Sequence, residues 1–441
     1  LLDGRGVARN PWRAFDLLRK AAEEEHTDAQ RVIGYLYDEG IGVLENDAKA
    51  LHWSLRAAEG GDTQALVNLA ALFTEGDAAP PNPVVVEALH GLANTRRPAD
   101  RQAPTQQDKL TPAQRGQAHA LQQAMAAPEG IAAALKPYLP ASAAPSPCPP
   151  MPEAINPETF KRWKSVAPDR GALWRIRREG QAGESWLYGT VHFGPPKWLA
   201  PGPQTAAALQ SAETIAIEVD LSDLATQAQM QQPVATPYPV SADVTDRLQR
   251  QLDLACLTDP ALKGLGALQQ GLLLTTLAGR RDNLHPVFAQ EILLQEVARY
   301  TRKKLAGLET AGSQQAALQP RSAQEQQVLL ASILADLERK DPGDRVRDMA
   351  AAWDQGDMDR LADLSSSATW CNCPGVPELD AYQRRLNDER NGPMAERIDT
   401  LLREGKPAFI GVGALHMTGP NSLVTLLTRR GYQVERIPFE R

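Results

Sequence analysis

Cysteine is scarce in this chain, aromatics make up 5% of it, and histidine occurs seven times in 441 residues. Four cysteines cannot build the dense disulfide framework of a small secreted module. No Cys-x-x-Cys pair occurs, which argues against a four-thiolate zinc knuckle. No apolar run approaches the roughly 18 residues that a membrane-spanning helix needs. The longest runs, such as Phe409–Leu415, are strand-sized. Positive charge is also short: 47 Lys and Arg against 54 Asp and Glu give a net charge of −7. That balance disfavours a nucleic-acid binder or a protein held on an anionic membrane. There is no His-Glu-x-x-His, no Gly-x-Ser-x-Gly and no Gly-rich phosphate loop, which removes the zincin helix, the serine-hydrolase elbow and the P-loop. The first residue is Leu1 rather than Met, so a fragment or processed product is expected, and the missing leader says nothing about export.

What is present first is a repeat. A shift of 36 residues lays Gly4-Arg5-Gly6-Val7 on Gly40-Ile41-Gly42-Val43, Asn10 on Asn46, Ala14 on Ala50, Ala21-Ala22-Glu23 on Ala57-Ala58-Glu59, and Ala29 on Ala65. A third copy opens with Gly76 and Asn82 and then decays. Each unit reads as two short helices, with Asn10 or Asn46 as a cap and Pro11 at a first helical position. The alanines allow close helix approach, and Leu17, Leu18, Tyr35, Leu51, Trp53 and Leu72 are expected to supply the apolar faces. One unit cannot bury such a face alone, so the units must stack. The pattern resembles the Sel-one-like repeats, relatives of the tetratricopeptide repeat. That resemblance covers residues 1–126, with Leu110–Met125 as a capping helix, and implies a protein-interaction scaffold.

Nine prolines between Pro128 and Pro157 mark residues 127–158 as a linker. Cys371 and Cys373 are too close in sequence to bridge each other comfortably. Two disulfides are therefore expected, joining Cys148 and Cys256 to Cys371 and Cys373, in an oxidising compartment such as a periplasm.

From residue 159 to 441 the pattern changes to strands alternating with helices. Strand candidates are Ala172–Arg178, Trp186–Val191, Thr214–Val219, Ala306–Leu308, Phe409–Val412 and Tyr432–Ile437. Helical stretches lie between them, including Val376–Leu402, expected to break near Gly392-Pro393. The expectation is an α/β domain on a central mixed sheet, with a helical insertion over about 244–365, behind an all-α repeat domain.

Two of the histidines end Gly-x-x-His strings, Gly189-Thr190-Val191-His192 and Gly413-Ala414-Leu415-His416, each at the end of a strand run. Open α/β sheets place ligands beyond the carboxyl ends of their strands. Glu218 and Glu309 also follow apolar runs, where an unpaired carboxylate is costly and a cation is attractive. Two imidazoles and a carboxylate suit a divalent metal. His285, before Pro286 in a polar turn, is expected at the surface.

These strings carry a second resemblance. Leu187–His192, Ile217-Glu218-Val219-Asp220, Gly307-Leu308-Glu309-Thr310, Arg390-Asn391 with Met394-Ala395, and Gly411–His416 resemble the TraB/GumN family in order and context. So does the ending Gly431–Glu435. Residues 286–288, where the family usually carries a Gly-x-Asp, read Pro-Val-Phe. The family is related to the Tiki metalloproteases, which clip secreted signalling proteins using manganese or cobalt. The resemblance implies metal ligation by His192, Glu218 and His416, with Glu218, Glu309 and Arg390 as catalytic participants. The implied function is a metal-dependent hydrolase, a peptidase of exported proteins, holding manganese, cobalt or zinc. It would act on a protein or peptide substrate and recruit a protein partner through the repeats, in the periplasm or outside the cell. The other reading is a non-catalytic protein that sequesters a peptide or secreted ligand in the same cleft.

Overall fold

The computed structural model describes the chain except residues 3, 5, 8, 77, 129, 141–147, 150, 151, 153, 154, 181, 182, 221, 231–237, 258–261, 263, 264, 340, 367–375, 440 and 441. It forms two compact units, Leu1–Pro145 and Ser146–Arg441, divided within the proline-rich stretch.

The first unit is all helix: α1 Pro11–Glu23, α2 Thr27–Glu39, α3 Asp47–Glu59, α4 Thr63–Glu75, α5 Pro83–Thr95, α6 Pro112–Ala126 and α7 Gly130–Leu135. The repeat period appears directly in its capping. Asn10, Asn46 and Asn82 each accept a backbone N–H at the start of α1, α3 and α5. Such a cap satisfies a donor the helix leaves orphaned, typically worth about 1 kcal/mol. Gly40 ends α2 in the left-handed conformation with φ 64°, and Gly76 ends α4 likewise with φ 82°, which only glycine adopts cheaply. Ala50, Ala57, Ala65 and Ala70 are wholly buried in one core with Ile33, Leu36, Leu66, Leu69 and Phe73. Leu17 and Tyr35 instead face solvent. Phe15 and Ile33 take the inward positions, because the apolar stripe of α1 and α2 runs through 14–15, 22, 29 and 33. Helix α7 packs against α3 and α6, which extends this unit beyond residue 126.

The second unit is built on a six-stranded sheet in the order β4-β3-β5-β2-β1-β6. The strands are β1 Ala172–Arg177, β2 Ser185–Thr190, β3 Thr214–Ile217, β4 Lys304–Gly307, β5 Ala408–Gly413 and β6 Gln433–Ile437. The pairs β4–β3, β3–β5 and β5–β2 are parallel, while β1 runs antiparallel to both β2 and β6. Being covered on both faces, the central strands are continuously apolar: β3 and all but the last residue of β5 are buried. The four parallel strands end at one edge, with Thr190 level with Gly413, and Ile217 level with Gly411 and Gly307.

Helices fill two excursions rather than one insertion over 244–365. One lies between β3 and β4, and the other runs from Ala311–Leu318 to Asp388–Arg403, between β4 and β5. Their core gathers Leu248, Leu274, Leu329, Ile333, Leu334 and Tyr382. The break expected at Gly392-Pro393 falls instead at Asn387. The helices are Pro377–Leu386 and Asp388–Arg403, and Pro393 sits inside the second. His285 is 3% exposed, not at the surface, because its backbone pairs with Gly194 in both directions.

Cys148 is disulfide-bonded to Cys256, with Cα atoms 5.5 Å apart. That replaces the expected pairing of each with Cys371 or Cys373, which lie outside the described residues. Cys256 lies two residues past the helix Ala242–Leu254, with φ 54°, so the bridge ties the proline-rich stretch to the first helical excursion.

Candidate active site at the carboxyl edge of the sheet

Four adjacent parallel strands deliver the site. His192 lies two residues past β2, Glu218 directly follows β3, Glu309 lies two past β4, and His416 sits in the 3-10 turn Ala414–Met417 after β5. Arg390 comes from the first turns of Asp388–Arg403. His192, Glu218, Arg390, Gly413 and His416 line one cleft of about 420 Å³. Glu309 lies behind it, bonded to Arg390. The other wall is apolar, with Leu318, Met349, Trp353, Leu361 and Leu386.

Glu218 is 4% exposed and fully engaged. Its Oε1 accepts the Gly413 N–H at 2.8 Å and lies 3.8 Å from His416 Nε2. Its Oε2 accepts from Arg390 Nη2 and from Gln314 Nε2 at 3.2 Å. Burial opposes the charge, yet the facing imidazoles, Arg390 and the Gly413 N–H outweigh it and hold the carboxyl at about 2.

His416 is 3% exposed, and its Nδ1 stands 2.7 Å from Asn391 Oδ1. Burial pushes it down to about 4 against the pull of Glu218, so it is neutral near pH 7. As an acceptor, Asn391 Oδ1 requires the proton on Nδ1, which leaves a lone pair on Nε2. Asn391 is itself wholly buried and fixed by donating to Asn421 O at 2.9 Å.

His192 has an imidazole 63% exposed, with Nδ1 3.2 Å from Glu291 Oε1. The Glu291 charge raises it to about 9 against desolvation. Arg390 bridges the acids: it donates to Glu218, to both oxygens of Glu309 and, at 3.0 Å, to Leu386 O. Burial raises Glu309 above the usual carboxylate range despite that contact.

Gly413 is the centre of the arrangement. A Cβ on it would lie 3.1 Å from Glu218 Oε1, 3.6 Å from His416 Cδ2 and 3.7 Å from His192 Nε2. The donors thus surround a space that a side chain at 413 would fill. In type, two imidazoles and a carboxylate fit a divalent ion. Among the described residues, no three His, Cys, Asp or Glu groups stand close enough to grip an ion as placed.

Glu291 and Asn391 escaped the sequence reading as site residues. Glu291 falls just past the Pro286-Val287-Phe288 stretch, and its position at the start of a helix carries no strand-end signal. Asn391 stands beside Arg390 in one of the family-like strings, but nothing local marks it as a histidine's partner.

A profile of the TraB/PrgY/gumN family matches residues 172–436, which takes in both helical excursions and all of the sheet but the last residue of β6. The chain belongs to this family. Sel1 repeats match residues 1–26 and 27–62, in the helical unit. Similar relatives of this TraB/PrgY/gumN member include Metalloprotease TIKI2 of Xenopus tropicalis, 24% identical over 315 residues, covering 60% of each chain. Metalloprotease TIKI1 of Homo sapiens is 25% identical over 319 residues, covering 61% of this chain and 62% of its own. Metalloprotease TIKI1 of Danio rerio is 23% identical over 316 residues, covering 60% and 63%. The chain spans about three-fifths of the length of these curated relatives.

Proposed function

We propose that the chain is a metal-dependent hydrolase of peptide bonds, acting on exported proteins, with the repeat unit binding a protein partner. The observation that carries this reading is the convergence of His192 Nε2, Glu218 Oε1 and the His416 ring around Gly413. His192, Glu218 and His416 would hold the ion, which manganese, cobalt or zinc could supply. When bound, such an ion contributes Lewis acidity toward a scissile carbonyl and lowers the pKa of water.

The protein's own groups then have defined tasks. Asn391 keeps the His416 proton on Nδ1, so Nε2 points into the cleft as a base or ligand. Arg390 keeps Glu218 ionised and fixes its Oε2, leaving Oε1 toward the imidazoles. Glu309, behind the cleft, accepts from Arg390 on both oxygens and so fixes the guanidinium that holds Glu218. The apolar wall excludes water from one side of the cleft, which strengthens the charges opposite it.

Metalloprotease relatives and the family membership support a protease rather than an esterase. The Cys148–Cys256 disulfide and the lack, among the described residues, of any helix long and apolar enough to cross a membrane support an exported or periplasmic location. The Sel1 repeats support protein binding by the helical unit.

A second reading, a peptide-sequestering protein on the same cleft, is favoured by one observation. Arg390 already pairs with both Glu218 and Glu309, so the acids share a cation without any metal. Incubating the full chain, loaded with manganese, cobalt or zinc, with a mixed-sequence peptide library distinguishes the two. Cleavage lost on chelation and in His416→Ala supports the hydrolase. Stoichiometric peptide binding without new termini supports the sequestering protein.

A further inference from the structure

We propose that Glu291 is a positioning residue of this centre, fixing the His192 imidazole so that Nε2 rather than Nδ1 faces the cleft. The inference rests on the metal-centred reading above and adds a residue to it.

The geometry is specific. Glu291 Oε1 lies 3.2 Å from His192 Nδ1, and the same oxygen accepts the Thr190 hydroxyl. Oε2 is buried with no hydrogen-bond partner. Leaving a carboxylate oxygen buried and unpartnered is costly, so its placement needs a return elsewhere. The helix that carries it, Gln290–Thr301, is seated tightly. One turn on, Leu294 packs where a side chain on Gly411 would go, 2.1 Å from the position of a Cβ. At the helix start, the Gln290 N–H donates to Val191 O at 3.1 Å, the carbonyl just before His192. The Gln290 side chain donates to Trp198 O at 3.3 Å. The carboxylate is thus held by scaffold on both sides of the histidine it touches.

His192 needs such an anchor and His416 does not. His416 is 3% exposed and held by Asn391, whereas the His192 imidazole is 63% exposed, so burial alone does not fix its orientation. Both rings nevertheless share one arrangement. Each presents Nδ1 to an oxygen, Glu291 Oε1 or Asn391 Oδ1, and each directs Nε2 to the space beside Gly413 and Glu218. A carboxylate on Nδ1 fixes the tautomer and orientation of an imidazole and increases the basicity of Nε2.

The test uses the full chain with Co²⁺ as the probe, reading affinity by calorimetry and coordination by visible absorption. Glu291→Ala is expected to weaken Co²⁺ binding by about 10–100-fold. Glu291→Gln, whose amide oxygen still accepts from Nδ1, should recover most of that loss and keep the wild-type spectrum. Thr190→Val, which frees the carboxylate without removing it, should fall between them. Unchanged affinity in Glu291→Ala overturns the inference while leaving the metal-centred reading intact. Equal losses in the Ala and Gln variants also overturn it, since a hydrogen-bond acceptor would then not be what matters. Should Glu291→Ala not fold, wild-type affinity in Thr190→Val overturns it. A wild type that takes no Co²⁺ overturns the metal-centred reading and this inference together.

Discussion

The Gly413 backbone N–H donates to Glu218 Oε1 at 2.8 Å, joining residues 195 apart in sequence. The bond both holds the carboxylate and places an empty Cβ position at the focus of the two imidazoles. Gly413→Ala keeps this bond, since the backbone there is not left-handed, but puts a methyl group 3.1 Å from Glu218 Oε1. The expected outcome is a folded protein with divalent-ion affinity reduced at least about tenfold, on the scale of a displaced ligand partner. Calorimetric titration and a melting curve on the same sample check both halves.

How far this was legible from sequence differs by residue. The central strands could be read from their apolar runs, because a buried parallel strand is short and continuously hydrophobic, and the antiparallel β1 and β6 from their β-rich composition. His192, Glu218, Glu309 and His416 could be singled out because each follows such a run. Convergence itself depends on β2, β3, β4 and β5 being parallel neighbours, which no local pattern specifies. Glu291 and the Cys148–Cys256 pairing were not legible for the same reason: both join distant segments through tertiary placement. The cap on the helix Pro203–Ser211 shows this again. Its N-cap is Gly202, and the side chain that caps it is Asp169, which accepts from Gln204 and Thr205 across 35 and 36 residues.

The pH dependence of stability follows from His416. Its folded value, about 4, lies below the ordinary 6.5, because burial disfavours the charged ring. Below about pH 6.5 the unfolded chain takes up a proton that the folded chain refuses, so this group costs stability as pH falls from 6.5 to 4. The slope is on the order of 1 kcal/mol per pH unit for one proton. Glu218, held near 2, adds a loss of the same sign below about 4.5, where its unfolded counterpart protonates. Urea midpoints measured from pH 6.5 to 4.5 should fall, since His192, raised to about 9, is protonated in folded and unfolded chain alike through that window, and His416→Gln should flatten the decline. A parallel decline in the variant would contradict the buried neutral histidine.

The disulfide makes a separate prediction. Cys148 and Cys256 are 108 residues apart, so the bridge restricts a long loop of the unfolded chain. Replacing both with Ser should destabilise the second unit by roughly 2–4 kcal/mol. Peptide mapping without reduction should recover the Cys148–Cys256 link itself, and a free thiol at either position would contradict it.

Trp353 supports the cleft from below. It is buried, donates Nε1–H to Gly189 O at 2.7 Å, and fills the space beside Gly171, where a Cβ would come within 2.9 Å of the ring. Trp353→Ala should cost about 3–5 kcal/mol by denaturant unfolding, as for other buried aromatics. Trp353→Phe keeps most of the packing but removes this donor to the Gly189 carbonyl, so a smaller loss is expected.

Metal content measures the central proposal most directly. The full chain, purified without chelators and dialysed against manganese, cobalt or zinc, should retain about one ion per chain. His192→Ala/His416→Ala should retain none, with a melting curve on the same sample separating loss of the ion from loss of the fold, because His416 is buried against Asn391. A folded wild type that retains no ion, or a double variant that retains as much as the wild type, would contradict a metal centre at the carboxyl edge of the sheet.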